Sequence, residues 1–504
     1  MRKIAISGLK SRGLPIHIDI GRKSFLPQIP VSGDALPRSS PVDNSPKPYA
    51  PQGSMPSKKI VLYYPYFNVL TQEKDRLWHR FPYSLWALVP GLTETGFDVC
   101  VFDARVDNIA DFHEVMKENP LFVGISSLTG GQLKDAMATS KWVKEHNPNT
   151  PVVWGGWHVT TCEESVKEPF IDYIITGRAE ESIVDFARTL YSELTPPQIT
   201  HSGITVPFKR LPLEDIDFNK YGSIWGYITS DGCIFKCSFC AVGNLYKRTV
   251  VYKPMDQVID ELRYVVDTYR GTTGGIRQIQ IDDTLFFVDK KRVEEFCRKW
   301  NFYNNVTLEA LVNVNVINKY TDAQWNMLYE GGFRRLLVGA ESANRIILDR
   351  VNKKFQTPEK ILEFAATSAK HQIGIELSTM TGFWDSDELN DFEDTVRLLS
   401  QAWELNPNTH LQMFWIHPYP GTPMYTEFAS RGYYLPRTMK EWSDYNLRRA
   451  PHWVNAELEE KMNFFINQFY PFVLGNKMLW TWDMFIATFE DNRRKNNIII
   501  NRGD

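Results

Sequence analysis

Two successive series of short apolar segments alternate with helical stretches, and this alternation constrains the fold more than any other feature of the chain. Neighbouring parallel strands need a long crossover connection, and a helix usually supplies it. The first series lies within residues 58–195 and the second within residues 223–428. The pattern therefore predicts two α/β domains, joined by a linker over residues 196–222.

The first series contains five candidate strands, which are short and mainly apolar. They are Lys59–Pro65, Asp98–Asp103, Leu121–Ser126, Pro151–Gly156 and Tyr173–Gly177. Continuous apolar runs are typical of strands that are buried on both faces of a parallel sheet. Helical periodicity between them, as in Gln132–His146, predicts a doubly wound, Rossmann-like domain.

Small or polar residues follow three of these strands. Open parallel sheets bind ligands at the carboxyl ends of their strands, where glycine lets the backbone approach a ligand and hydroxyl groups can bond to it. One such loop is more often a tight turn, but three at successive strand ends favour a binding site. The candidate residues are Ser126, Ser127, Thr129, Gly155, Gly156, His158, Gly177 and Glu180.

The second series contains six candidate strands. They are Ile224–Thr229, Ile276–Ile281, Thr307–Val312, Arg335–Val338, Ile373–Met380 and His410–His417. Five candidate helices separate or follow them: Met255–Tyr269, Lys290–Phe302, Asp322–Glu330, Pro358–His371 and Leu389–Leu405. This order predicts a full or partial β/α barrel of the TIM type, with its chemistry at the strand ends.

The two ends of the chain differ from these domains. Residues 1–57 are rich in proline and serine and are predicted to form a disordered tail. Residues 429–504 have a helical, aromatic-rich pattern, which predicts helices packed on the barrel. Contact with a membrane surface and the lining of a large or apolar pocket are the alternatives for these aromatic residues.

Composition excludes several classes of protein. The 57 basic and 60 acidic side chains leave no positive excess for coating nucleic acid, so no nucleic-acid partner is expected. Apolar runs of 18 or more residues are absent, which argues against a transmembrane segment. Six cysteines in 504 residues are too few for a disulfide scaffold, so a cytoplasmic location is expected.

Three cysteines, Cys233, Cys237 and Cys240, follow the first strand of the second series. Clustered thiolates bind soft metals. Zinc usually takes four protein ligands, and no fourth cysteine is nearby in the sequence, although a zinc-stabilised binding module without catalytic activity stays as an alternative. Three thiolates on a four-iron cluster would leave one iron open to a small chelating molecule.

The CxxxCxxC spacing resembles that of the radical SAM superfamily, and about residues 58–430 resemble its cobalamin-binding branch. The resemblance implies that Cys233, Cys237 and Cys240 hold a [4Fe–4S] cluster. Its open iron would be chelated by the amino and carboxylate groups of S-adenosyl-L-methionine (SAM). Phe239 would lie against the adenine of SAM.

Two further segments resemble motifs of this superfamily. Asp282 and Asp283 follow an apolar strand and match its double-acid motif near the SAM amino group. Glu341 and Ser342 match the strand end that contacts the SAM ribose or amino-acid moiety. A helix cap or solvated turn is the alternative for the two aspartates, and an ion pair with a barrel arginine is the alternative for Glu341.

The resemblance also implies that the candidate residues of the first domain bind cobalamin. The DxHxxG motif of classic cobalamin proteins is absent after the first strand, so binding without a histidine lower ligand is implied. His158 is expected to be a polar loop contact rather than a cobalt ligand. The doubly wound domain is expected to stack over the barrel mouth, with the strand ends of the two domains facing one cavity.

The implied activity is methylation of an unactivated carbon in a small-molecule or natural-product substrate. In this family, SAM is cleaved to methionine and a 5′-deoxyadenosyl radical, which abstracts hydrogen, and methylcobalamin then delivers a methyl group. An external electron donor, similar to flavodoxin or ferredoxin, would reduce the cluster. Cyclisation or rearrangement of the substrate is the alternative within the family.

Overall fold

The structure of the protein is a computed structural model that describes residues 56–66, 81–269, 275–300, 305–384 and 390–500. Residues 1–55 of the predicted disordered tail lie outside the described residues. Phe302 and Leu389, at the ends of two predicted helices, also lie outside them.

The first sheet contains six parallel strands in the order β2-β1-β3-β4-β5-β6. They are β1 (Lys59–Tyr64), β2 (Asp98–Asp103), β3 (Phe122–Ser126), β4 (Val152–Gly155), β5 (Tyr173–Thr176) and β6 (Ile199–His201). The five predicted strands are confirmed. The sixth, β6, pairs with β5 inside the segment predicted to be a linker, where its three residues were too few to show a pattern.

Helices cover both faces of this sheet. They are α1 (Tyr83–Trp86), α2 (Val89–Glu94), α3 (Ile109–Met116), α4 (Gln132–His146), α5 (Trp157–Thr161) and α6 (Ser182–Tyr191). In β1, Val61 and Tyr63 pack with α3 and α4, whereas Ile60 and Leu62 pack with α2 and α6. Successive side chains of a strand point to opposite faces, so the continuous apolar run is buried on both sides, as predicted.

The second sheet contains six parallel strands, whose order across the sheet is the same as their order along the chain. A small antiparallel ribbon lies between the first two of these strands in the sequence but is not part of the sheet. The strands of the sheet are β7 (Ile224–Tyr227), β10 (Gln278–Ile281), β11 (Thr307–Val312), β12 (Phe333–Glu341), β13 (Gly374–Thr381) and β14 (Thr409–Trp415), and the ribbon pairs β8 (Ser230–Gly232) with β9 (Val250–Tyr252). Among the described residues β7 and β14 form the two edges, which confirms a partial barrel.

The helices of the barrel domain follow its strands in sequence. They are α7 (Val242–Leu245), α8 (Met255–Thr268), α9 (Lys290–Trp300), α10 (Val314–Ile317), α11 (Asp322–Glu330), α12 (Arg345–Arg350), α13 (Pro358–Lys370) and α14 (Asp391–Leu405). Their apolar faces cover one side of the sheet and form the largest core of the protein. This arrangement leaves the carboxyl ends of the strands for the site.

The C-terminal region is helical, as predicted, and contacts both domains. It contains α15 (Pro423–Ser430), α16 (Met439–Ser443), α17 (Ala456–Phe464), a π-helical segment (Phe465–Phe469), α18 (Tyr470–Gly475) and α19 (Trp482–Ile500). Met439 and Trp442 of α16 enter the core of the first domain. The aromatic residues of the later helices are buried in the barrel core, so core packing explains them.

In the described part of the chain, no helix combines the length and hydropathy needed to cross a bilayer.

Candidate active site

The cysteine loop leaves β7 through the β8–β9 ribbon, and glycines shape it. Gly232 has φ +100°, and a Cβ there would clash with the backbone oxygen of Thr249. A Cβ on Gly243 would clash with the backbone oxygen of Phe235 inside the loop. Because only glycine avoids both clashes, these two positions determine the path of the loop.

The three predicted cluster ligands, Cys233, Cys237 and Cys240, are partly buried free thiols on this loop. Burial raises the pKa of Cys233 and raises that of Cys237 to about 11, while the nearby ammonium group of Lys353 lowers both. The three thiols thus interact electrostatically with one another, and Cys233 and Cys237 also interact with a buried cation that the sequence did not indicate.

Asp283 fixes the start of this loop. Its carboxylate is buried and accepts hydrogen bonds from the backbone N and Oγ1 of Thr229 and from Oγ of Ser230, each at 2.6 Å. Burial raises the pKa of Asp283, although these hydrogen bonds act in the opposite direction. The oxygens of Asp283 therefore hold the chain that leads to Cys233, and its contact with SAM stays a prediction.

The other end of the loop is held by the connection after α12 and by α15. The side-chain amide of Asn352 donates to the backbone oxygen of Lys236 at 2.9 Å. The backbone N of Ser238 donates to the oxygen of Val351 at 3.1 Å, and the oxygen of Ser238 accepts from Met424 at 2.9 Å. Elements distant in sequence therefore hold the loop on both sides.

Glu341 ends β12 and lies beside the loop with φ +62°, at an irregularity in the pairing of β12 with β13. Lys353 donates to its Oε1 at 2.5 Å and to the backbone oxygen of Gly339 at 3.1 Å. Burial alone would lower the pKa of Lys353, but the carboxylate of Glu341 outweighs it and the pKa is raised. Glu341 thus forms an internal ion pair, with a lysine rather than the arginine considered from the sequence, and still faces a cavity.

Ser342 lies behind this pair. Its hydroxyl is buried, donates to Oδ1 of Asp391 and accepts from the backbone N of Asn344. The side chain of Ser342 therefore joins β12 to α14, and its contact with SAM stays a prediction.

A cavity of about 600 Å³ opens at the strand ends of the barrel. Phe239, Cys240 and Glu341 line it, so the structure brings together these three residues predicted from the superfamily motifs. Most of the remaining lining is apolar and comes from the strands and from the loop after β14; it includes Leu311, Leu337, Met380, Phe414, Trp415, Ile416, Tyr419 and Leu447. These residues had no distinctive sequence signal, because barrel cores have the same composition.

A second cavity, of about 340 Å³, lies at the strand ends of the first sheet. Five of the eight candidate cobalamin-binding residues line it: Ser126, Gly155, Gly156, Gly177 and Glu180. Barrel residues close its other side, among them Asp231, Tyr246 and Asp282. Asp282 therefore faces this cavity rather than the one beside Glu341.

Glycine allows two loops of this cavity to approach the neighbouring backbone. Gly156 has φ +95°, and a Cβ there would lie 2.7 Å from the backbone oxygen of Ser127. Gly177 has φ +77°, and a Cβ there would lie 2.8 Å from the backbone oxygen of Ser202. The loops can follow these paths only without side chains at the two positions.

Arg178, which the sequence did not single out, lies beside Glu180 in this cavity. Its Nη2 is 2.6 Å from Oε1 of Glu180, and its guanidinium stacks 4.4 Å from the ring of Phe208. Glu180 is thus neutralised by a fixed cation, and the pair gives the cavity a polar wall.

The remaining three candidates of the first domain do not line this cavity. Ser127 is buried and its hydroxyl donates to the backbone oxygen of Gly155 at 2.7 Å. Thr129 lines the barrel cavity instead. The hydroxyl of Ser127 therefore holds the loop to the end of β4, and its contact with cobalamin stays a prediction.

His158 is fully buried, and its Nδ1 lies 2.9 Å from Oγ1 of Thr129. Its Nε2 has no hydrogen-bond partner within the described parts of the chain, and its ring makes an edge contact with Trp442 of α16. Burial lowers the pKa of His158 to about 4. The ring lines neither cavity and joins the loop to α16, and its contact with cobalamin stays a prediction.

The two cavities adjoin each other. Trp157, at the start of α5, and Val242, at the start of α7, line both of them. Trp157 is 40% exposed although it is surrounded by loops of both domains. The strand ends of the two sheets therefore face one another, as expected from the sequence.

The donor sets fit the cofactors that the motifs imply. Three thiols on one loop, without a fourth cysteine beside them, suit a cluster with an open iron. Among the described residues, no three His, Cys, Asp or Glu side chains, the three cysteines included, are grouped closely enough to hold a single metal ion. The glycine-lined second cavity lets a large planar ligand approach the backbone.

Comparison with known proteins agrees with this arrangement. A family model of the B12 binding domain matches residues 81–187, and one of the Radical SAM superfamily matches residues 227–399. An uncharacterized methyltransferase of Pyrococcus horikoshii is 24% identical over 412 residues, which are 76% of this chain and 86% of that protein. The bacteriochlorophyllide d C-12(1)-methyltransferase of Chlorobaculum tepidum is 26% identical over 234 residues, which are 45% of this chain and 48% of that protein.

A solved structure has the same fold. It is that of the radical S-adenosylmethionine methyltransferase TsrM from Kitasatospora setae, with cobalamin and a [4Fe–4S] cluster bound. The TM-score is 0.57 at 18% sequence identity, and the match covers 74% of this chain and 78% of that one. With its cysteine loop, its facing cavities and both family models in this order, the chain belongs to the radical SAM superfamily, in the group whose barrel follows a B12-binding domain.

Proposed function

We propose that the protein is a cobalamin-dependent radical SAM methyltransferase that methylates a carbon atom of a small-molecule substrate. The observation that carries this proposal is the junction of the two cavities at Trp157 and Val242, beside Cys240. A methyl donor in one cavity and a substrate in the other would be in contact there. The relatives named above are methyltransferases, which supports the same reaction.

In the barrel, Cys233, Cys237 and Cys240 would hold the [4Fe–4S] cluster, and Phe239 and Glu341 would contact SAM. Lys353 adds a buried ammonium group beside Glu341, 5.7 Å from the centre of the Phe239 ring. A carboxylate and an ammonium group at fixed positions suit the amino and carboxylate groups of SAM, since charged groups that are already ordered need little rearrangement on binding.

In the first domain, Ser126, Gly155, Gly156 and Gly177 would contact cobalamin, and Glu180 would do so together with Arg178. Asp282 would contribute from the barrel side of the same cavity. When bound, the cluster and SAM supply hydrogen abstraction from carbon, and cobalamin supplies a transferable methyl group.

The apolar lining of the barrel cavity indicates the class of substrate. Leu311, Met380 and Phe414 face the space next to Cys240 and offer few hydrogen-bond partners. Such a surface excludes water from reactive carbon and binds a hydrocarbon region of a substrate. Glu376 and Gln412 line the same cavity and are joined by a 2.7 Å hydrogen bond. This polar pair would orient the substrate.

Reduction of the cluster requires an external one-electron donor, for which flavodoxin-like or ferredoxin-like proteins are the candidates. All six cysteines are free, which agrees with a reducing compartment such as the cytoplasm.

Anaerobic loading and isotope transfer test the proposal. The protein is purified without oxygen, reconstituted with iron, sulfide and cobalamin, and given SAM with a labelled methyl group. We expect absorbance near about 400 nm from the cluster, a bound corrinoid, 5′-deoxyadenosine and labelled methylcobalamin. Label in an extracted small molecule would identify the acceptor.

The alternatives have different outcomes in the same experiment. An unlabelled but altered substrate would indicate cyclisation or rearrangement. A colourless protein that binds zinc and no corrinoid would contradict the proposal.

A further inference from the structure

The cysteine loop has an outer side that faces solvent. Ile234 is 43% exposed and Lys236 is exposed, both between the first two cysteines. Neither residue lines the two cavities, whereas Phe239 and Cys240 at the other end of the loop face the barrel cavity. The exposed residues of the loop thus lie between the first two predicted cluster ligands and away from both cavities.

The connection between α12 and α13 extends this outer side. Asn352 and Lys354 are exposed, and Phe355 is 38% exposed. The connection is tied to the loop by the hydrogen bond from Asn352 to the oxygen of Lys236 and by a ring contact of 5.8 Å between Phe235 and Phe355. We call the surface formed by Ile234, Lys236, Asn352, Lys354 and Phe355 the loop face.

The charge of the loop face differs from that of the protein as a whole. Lys236 and Lys354 make no ion pair within the described ranges, and the loop face contains no carboxylate. At its edge, Arg345 and Asp349 line a shallow groove with Lys354 and contribute opposite charges. The chain as a whole has a formal charge of −3 and would repel an acidic protein. The positively charged loop face would attract such a protein locally and so direct it to this surface.

Exposed apolar side chains between cations are typical of a protein interface. Ile234 and Phe355 would form its centre and the two lysines its rim, where charges steer association. We propose that the loop face is the docking surface for an acidic protein that donates one electron, an inference that rests on the proposed function. The donor's flavin or iron–sulfur centre loses one electron, and the [4Fe–4S] cluster behind the loop gains it.

Charge reversal on the loop face tests this inference by binding rather than turnover. The cofactor-loaded protein and an acidic flavodoxin are studied anaerobically by biolayer interferometry at low and high salt. We expect the double variant Lys236→Glu/Lys354→Glu to bind at least about tenfold more weakly, with less dependence on salt. Lys477→Glu is the matched control, because Lys477 is exposed and distant in sequence from the loop.

Dithionite separates this inference from the proposed function. A small reductant needs no docking surface, so the double variant should give the same reduced-cluster signal in electron paramagnetic resonance as the wild type. Equal binding by the wild type and the double variant, equal loss in Lys477→Glu, or no binding of flavodoxin by the wild type would each overturn the docking proposal. Failure of the wild type to hold a cluster would instead overturn the proposed function.

Discussion

The strand ends of the two sheets build their cavities by different means. In the first sheet, loops at Gly156 and Gly177 pass close to neighbouring backbone, and the cavity is shaped by absent side chains. In the barrel, the buried carboxylate of Asp283 holds the start of the cysteine loop, and Glu341, paired with the buried Lys353, lines the cavity beside it. Backbone shape suits a large ligand with many weak contacts, whereas fixed charges suit a small charged ligand and a metal cluster.

This difference predicts opposite sensitivities. Substitutions that add a side chain should damage the first site, and substitutions that change a charge or ligand atom should damage the second.

Cys237→Ser should abolish cluster binding and SAM cleavage, because a serine hydroxyl is a poor ligand for iron in a thiolate cluster. Iron content and absorbance after reconstitution measure it. Cys162→Ser in the first domain is the control and should keep both. The amount of bound cobalamin should be unchanged in either variant. Loss of cobalamin in Cys237→Ser would contradict the assignment of the two cofactors to separate sites.

Asp283→Asn should lower the free energy of unfolding by about 3 kcal/mol, because an amide cannot accept all three hydrogen bonds from Thr229 and Ser230. Denaturant titration measures it. The neighbouring Asp282→Asn, at a partly exposed position, should cost less than about 0.5 kcal/mol. Similar losses in the two variants would contradict the anchoring role of Asp283.

Gly156→Ala should destabilise the first domain by about 2 kcal/mol and weaken cobalamin binding, since the methyl group meets the Ser127 backbone. Gly432→Ala is the control: its φ is +84° and nothing lies within 4 Å of a Cβ there. That variant should cost only about 1 kcal/mol, from the left-handed backbone. The affinity for cobalamin, measured by titration, should be unchanged in Gly432→Ala. Equal losses of stability in the two variants would contradict the importance of the close approach between Gly156 and the Ser127 backbone.

His158 gives the first domain a pH dependence. Its folded pKa of about 4 lies below the ordinary value of 6.5, so between these values the unfolded chain binds a proton that the folded chain does not. Stability contributed by the neutral ring is therefore lost as the pH falls from about 6.5 to about 4.

In His158→Asn, the decrease in unfolding free energy over this range should be shallower by about 1.4 kcal/mol per pH unit. Denaturant titrations at several pH values measure the slope. If the slope in His158→Asn equals that of the wild type, the pKa of His158 is the same in the folded and unfolded chains. The lowered pKa would then be contradicted.

Much of the fold could be predicted from local patterns. The five strands around Val61 and Ile174 are mainly apolar runs, and such runs form buried strands wherever they pack. The six barrel strands are less uniformly apolar, and buried residues alternate with more exposed ones, as in Thr307–Val312. The short β6 was missed, because Ile199–His201 is stabilised by pairing with β5 rather than by its own composition.

The candidate site was predicted less completely. Phe239 and Glu341, which are predicted to contact SAM, line the barrel cavity. Ser342 and Asp283 carry the same prediction, but their side chains are bonded to other parts of the protein. A carboxylate at a strand end has the same sequence signal whether it faces a cavity or an internal hydroxyl group.

The alternation of strands and helices, the three thiols on one loop and the glycine positions follow from residue type and spacing within short segments. Only the folded molecule reveals that Lys353 pairs with Glu341, that Asp283 binds Thr229 across 54 positions, and that Trp157 and Val242 line both cavities. These contacts join segments far apart in the chain, and their partners are selected by packing of the whole molecule, which local spacing does not encode.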